Sequence, residues 1–195
     1  HGARRMLEEG VDEFYYITLM NENYAQPSLP AGAAEGVIRG MYRYGTYGPA
    51  GTARIRLLGS GTILREVVAA AEILGTEHGI ACEVWSVTSF SELAREAAAV
   101  EREARLGLAA PADRRPAAPR RSWLEDCLAG DTPIVAATDY VRALPQMVAS
   151  YLPGRRFIAL GTDGFGRSDT RTALRAFFEV DRASVVRAAL QALAK

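Results

Sequence analysis

The sequence predicts an α/β fold: three layers, with a mainly parallel sheet covered by helices on both faces. Three observations predict it. From Arg156 the chain reads RFIALGTDGFGRSD, an apolar run that breaks into a glycine-rich turn and then feeds a helix. From residue 54 onward, short apolar runs alternate with helix-length amphipathic segments, which implies right-handed crossovers between parallel strands. Finally, 195 residues that are 49% hydrophobic and 24% charged suffice for one good core.

Each element has its own warrant. HGARRMLEEG at the start reads as the end of a helix stopped by Gly10, with no capping residue ahead of it, as if continued from something larger. Phe14 to Leu19 reads as a strand, and Asn21, Glu22, Asn23, Tyr24, Pro27 and Pro30 as a rigid polar connection. Ala33 to Tyr44 reads as a short helix ending in a glycine-rich stretch up to Gly51. Arg54 to Leu58 is expected as a strand, Gly59-Ser60-Gly61 as a turn, and Thr62 as the cap of a helix through Leu74. Ala81 to Val87 is the next strand, followed by a helix opened by Ser91 or Glu92 and running to about Arg105. Residues 108–121, rich in Ala, Pro and Arg, break the pattern as a solvated loop. Trp123 to Leu128 is a short helix, Pro133 to Ala137 a strand, Tyr140 to Leu152 a helix, and Phe157 to Leu160 a strand. Helices over 170–178, capped by Ser168 or Asp169, and over 182–193 close the chain.

Composition and motif spacing exclude several function classes. Lysine plus arginine and aspartate plus glutamate number 23 each, so no global field draws the chain to nucleic acid or an anionic membrane. No stretch approaches a membrane span, and the chain is expected to be cytoplasmic. Cys82 and Cys127 follow no metal or CxxC spacing and read as buried, reduced thiols. His78, the one histidine besides His1, sits before Gly79 at a helix end, so no histidine pair or triad exists. Ser60, Ser89 and Ser168 lack a neighbouring base in any motif. Asp139, Asp163 and Asp169 are candidate carboxylates, each also placed where an acid caps a helix or closes a turn. Leu58-Gly59-Ser60-Gly61-Thr62 begins like a dinucleotide fingerprint, but Leu64 stands where the third glycine belongs and Thr88 and Ser89 follow Val87 where an acid would hold a ribose. A tight strand-to-helix turn is the better reading of those glycines.

Five strings, FYYITLMNENYAQP, LLGSGTILREV, VWSVTSFSELARE, ATDYVRALPQMV and LGTDGFGRSDTRTALRAFFEVD, occur in order along nearly the whole chain. Together they resemble the carboxyl-terminal portion of the homodimeric-type pyruvate dehydrogenase decarboxylase (acetyl-transferring) family, in the transketolase superfamily. The resemblance implies that residues 1–20 end a pyrimidine-binding domain, 21–50 form an interdomain linker with a short helix, and 51–195 form the transketolase carboxyl-terminal domain. It implies thiamine diphosphate and magnesium as cofactors of the complete enzyme, bound by parts that this chain lacks. It implies no catalytic, cofactor or metal residue here, and a chain inactive by itself.

The expected role is to support domain and dimer assembly for oxidative decarboxylation of pyruvate or another 2-oxo acid. Asn21, Glu22, Asn23, Tyr24, Asp163, Phe165, Arg167 and Ser168 are the expected interface residues. The implied partners are the cofactor-binding domains or subunit of the same enzyme, in a homodimer or hetero-oligomer, and a lipoyl acyltransferase or another acceptor. Alternatives are a subunit of a split transketolase-like enzyme with a different acceptor, and a non-catalytic interaction or ligand-binding module. The chain departs from the family over Glu103 to Arg121, where Ala, Pro and Arg replace an aromatic-rich stretch, and near the linker, where Ala25 and Gln26 supply no imidazole.

Overall fold

The computed structural model describes residues 1–20, 23–108 and 120–194. Its centre is a five-stranded sheet built from β1 (Met41–Tyr47), β2 (Ile55–Ser60), β3 (Cys82–Val87), β4 (Ile134–Val141) and β5 (Phe157–Thr162). The strand order is β1-β3-β2-β4-β5. The inner pairings β2–β3, β2–β4 and β4–β5 are parallel, and only edge strand β1 runs antiparallel, against β3. The predicted three-layer, mainly parallel architecture is what the chain adopts.

Alternation along the strands sorts two cores. Ile55 and Leu57 point to one face, where they meet Val67, Ala71 and Leu74 of α3 (Ile63–Glu77) and Val185 and Ala189 of α8 (Arg182–Leu193). Leu58, Trp85, Ile134 and Ala136 point to the other. There they pack on Leu93 of α4 (Phe90–Leu108), Leu124 of α5 (Trp123–Cys127) and Val148 of α6 (Ala143–Ala149). Both faces of the inner strands are therefore buried, which explains their near-continuous apolar character. Gly59 lies within β2, and a Cβ there would come 2.7 Å from Leu64 Cα, so this glycine lets α3 pack tightly on its own strand.

Several elements differ from the sequence expectation. The run 33–44 divides into a one-and-a-half-turn helix, α2 (Ala34–Arg39), and edge strand β1, hinged at Gly40 with φ +104°. Phe14 to Leu19 forms no strand, because no described strand lies alongside to pair with it. Gly59 and Ser60 belong to β2 rather than to a turn, which is left to Gly61 at φ +54°. Helix α4 starts at Phe90 and is capped by Ser89, whose hydroxyl accepts from the Glu92 N–H at 3.1 Å. The last turn of the proposed helix end at the amino terminus is α1 (Gly2–Leu7), with Gly10 at φ +62° beyond it. Most of the Ala/Pro/Arg-rich segment, residues 109–119, lies outside the described residues, as do Asn21 and Glu22.

Candidate functional site

The carboxyl end of the sheet carries Asp163, Phe165, Arg167 and Ser168 on the loop that follows β5. Ser60, at the end of β2, donates its hydroxyl to Thr138 Oγ1 at 2.7 Å, and the Tyr140 N–H donates to the same oxygen at 3.2 Å. The β4–β5 register shifts between Ala137 and Val141. Beyond the shift, the Arg142 N–H donates to the Thr162 carbonyl at 3.0 Å, and Thr162 Oγ1 donates to the Asp139 carbonyl at 3.0 Å. Gly161 sits beneath this crossing: a Cβ there would meet Arg142 Cα and the Tyr140 carbonyl at 2.9 Å. The glycine is required by close backbone approach.

Residues 163–169 spring from this platform. Asp163 pairs with Arg142 at 2.6 Å, and the Arg167 guanidinium lies 3.8 Å above the Phe177 ring. Phe177 in turn meets Phe178 edge to face at 5.0 Å, at the end of α7 (Arg171–Phe177). Arg142, Gly161, Asp163, Phe177, Phe178 and Glu179 line a cleft of about 200 Å³. Phe165, in contrast, is 97% exposed at the tip of the loop. Helix α7 is capped by Thr170, not by Ser168 or Asp169: Thr170 Oγ1 accepts from the Ala173 N–H at 3.3 Å, and Asp169 Oδ1 accepts from the Thr170 N–H at 2.7 Å. Ser168 is exposed and makes no such cap.

The amino-terminal segment reaches the same edge. The Tyr140 hydroxyl donates to Thr18 Oγ1 at 2.6 Å, and the Arg65 guanidinium stacks 4.2 Å from the Tyr24 ring at the first turn of α3. Asn23 is exposed beside it. The structure thus gathers Tyr24 at one end of the edge and Asp163, Phe165, Arg167 and Ser168 at the other, while Asn21 and Glu22 lie outside the described residues. Arg142, Phe177 and Glu179 were missed by sequence reasoning. Arg142 falls in the first turn of the helix expected over 140–152, whereas β4 runs on to Val141, so the sequence held no signal that Arg142 would pair with Asp163.

The two cysteines are free, and burial pushes Cys82 up to about 11 and Cys127 up to about 12. Among the described residues, no group of three or more His, Cys, Asp and Glu side chains is placed to hold a metal ion. No described helix is long and apolar enough to cross a membrane. What the edge presents is apolar surface: Phe14 at 87%, Tyr16 at 86% and Leu19 at 87% exposure, with Phe165 beyond them.

Comparison with known proteins agrees with this architecture. The family described as "Transketolase-like TK C-terminal domain" matches residues 18–181. The pyruvate dehydrogenase E1 component of Pseudomonas aeruginosa is 50% identical over 194 residues, covering 99% of this chain and 21% of the relative. That of Escherichia coli strain K12 is 44% identical over 195 residues, covering 100% of this chain and 21% of the relative. The chain thus spans about a fifth of the length of these relatives. Among solved structures, a Pichia stipitis transketolase aligns with a TM-score of 0.52 at 15% identity, over 86% of this chain and 20% of that one. A Leishmania mexicana transketolase aligns at 0.50 and 20% identity, over 82% of this chain and 18% of that one. Those two likenesses concern the fold. By the match over 18–181, this chain belongs to the transketolase-like carboxyl-terminal domain family.

Proposed function

We propose that this chain is the carboxyl-terminal domain of a pyruvate dehydrogenase E1-type enzyme, in which it supports the assembly of the cofactor-binding domains. The observation that carries the reading is the identity of 50% over 99% of the chain with a protein named for that activity. In this reading the complete enzyme decarboxylates pyruvate with thiamine diphosphate and magnesium held by its other domains. The cofactor carries the carbanion chemistry, and this chain contributes position.

The sheet's carboxyl edge is the face those domains cover. Support comes from its chemistry: an apolar tip at Phe165 on a loop anchored by the Asp163–Arg142 pair and the Arg167–Phe177 stack. An exposed aromatic held on an ordered loop is the form of an interface anchor. Asn23 and Tyr24 extend that face beside the first turn of α3, and Asn21 and Glu22, outside the described residues, are proposed to serve the same interface. The test is charge reversal in the complete enzyme. Asp163→Lys and Arg167→Glu should each lower its dimer content or its decarboxylation rate at least about tenfold, a change of about 1.4 kcal/mol. Normal assembly and turnover in both variants would remove the loop from the interface.

A further inference from the structure

Asp163 and Gly164 form the one Asp-Gly or Asn-Gly linkage in the sequence. It follows β5 directly and opens an exposed loop without regular structure. A carboxyl group can condense with the next residue's peptide nitrogen into a five-membered imide where that nitrogen is free and uncrowded. Both conditions are met at Gly164. A glycine has no side chain to crowd its nitrogen, and a Cβ added at Gly164, where φ is +81°, would meet nothing within 4 Å. Its N–H has no acceptor among the described residues.

Other aspartates are guarded where this one is open. The N–H that follows Asp12 is donated to the Val11 carbonyl at 2.9 Å, the one after Asp139 to Thr138 Oγ1 at 3.2 Å, and the one after Asp181 to Glu66 at 3.1 Å. Asp169 precedes Thr170, whose stiff β-branched side chain crowds its own nitrogen and whose N–H is held in the capping turn of α7. The Asp163 carboxylate does have Arg142 at 2.6 Å, but the two side chains are 69% and 45% exposed, and an ion pair so open to water holds its partners weakly. Exposed side chains change rotamer far faster than an imide closes, so the pair does not lock the carboxylate away.

We propose that the Asp163-Gly164 linkage is a site of spontaneous covalent modification, at which Asp163 isomerises to a β-linked isoaspartyl residue. The Gly164 nitrogen attacks Asp163 Cγ, the N–Cγ bond forms, and the nitrogen's proton leaves with the carboxyl's hydroxyl as one water. Water then adds back to the imide. Addition at Cγ breaks the new bond and restores aspartate, whereas addition at the main-chain carbonyl breaks the original peptide bond and leaves the chain running through Cγ. Composition is unchanged, but the main chain gains one atom and the carboxylate moves to Cα. The pair with Arg142 cannot keep its geometry afterwards, and the loop that carries Phe165 loses that anchor. The linkage is open wherever the loop is uncovered, whatever role the loop serves in a larger assembly.

Ageing of the whole chain in warm, mildly acidic buffer tests this, read by peptide mapping and by methyl transfer from S-adenosylmethionine with an isoaspartyl-specific methyltransferase. Isoaspartate at residue 163 should form at least about tenfold faster than at any other Asp or Asn linkage, a barrier lower by about 1.4 kcal/mol, and should become the major form there. Its rate in the folded chain should approach that of a peptide spanning residues 157–169. Asp163→Glu, which would need a six-membered ring, should lose the signal at this position. No isoaspartate at 163 in the folded chain while the peptide isomerises, or a methylation signal undiminished in Asp163→Glu, would overturn the site. Isomerisation as fast in the complete pyruvate dehydrogenase E1-type enzyme as in the chain alone would leave the site standing and count against the loop as an interface.

Discussion

Glu66 illustrates how one residue joins distant parts of the chain. It is buried on α3, where its carboxylate accepts from Arg182 through the backbone N–H at 3.1 Å and Nε at 2.9 Å, and from Arg175 at 3.3 Å. Burial alone would raise its pKa, but the Arg182 hydrogen bonds and the two guanidinium charges outweigh it and hold the carboxyl below its ordinary 4.5. The group is charged more readily in the folded state, so its stabilisation is complete above about pH 4.5 and is lost as pH falls through the folded pKa. Glu66→Gln should therefore cost about 2 kcal/mol in urea unfolding at pH 7, a figure reduced from that of a fully buried pair because Arg182 is half exposed. The variant should also show a flatter loss of stability below pH 4.5. Cys82, pushed up to about 11, has about one thiolate in a thousand at pH 8, and Cys127 fewer. Iodoacetamide should leave both unmodified at that pH until urea unfolds the chain. Glu179 holds φ +56°, where its N–H donates to Ala176 and the next N–H to Arg175 at the end of α7. Glu179→Gly should stabilise the fold by about 1 kcal/mol, read from the same unfolding curves.

At the scale of elements, most of the fold was legible because each inner strand is a short apolar run with a cap and an amphipathic helix behind it. Helix α8 shows this plainly: Asp181 accepts from the Ser184 N–H at 2.9 Å, and the helix spans the residues its pattern predicts. Strand β1 was illegible for two physical reasons. Its residues MYRYGTY lack a simple alternation, and its pairing with β3 is irregular between Arg43 and Gly45, so the glycine signals a loop. Phe14 to Leu19 has the strand composition but no strand partner among the described residues, and β propensity records fit to neighbouring strands more than any property of the backbone. In the candidate site, Asp163 and Arg167 were visible as an ordered polar turn, whereas Arg142 and Phe177 come from other elements and are joined to it only by tertiary packing. The crossing at Gly161 is the most exacting of these joints. Gly161→Ala should strain the Tyr140–Arg142 backbone and lower stability by about 1–3 kcal/mol, with Gly166→Ala, which meets nothing nearby, as a neutral control.

For the whole molecule, exposed apolar side chains mark one end of the sheet. Buried cores cover both faces of the sheet, and its carboxyl edge carries Phe165, the loop at 163–169 and the Thr18 contact of the amino-terminal segment. The chain spans about a fifth of the length of the pyruvate dehydrogenase E1 components it is similar to. The most direct measurement is 2-oxo acid decarboxylation, with thiamine diphosphate and magnesium, by this chain alone and then by the chain mixed with a polypeptide supplying the preceding domains of a pyruvate dehydrogenase E1 component. The account predicts no turnover by the chain alone and pyruvate turnover in the mixture, accompanied by a complex on size exclusion. An inert mixture with no complex would contradict it.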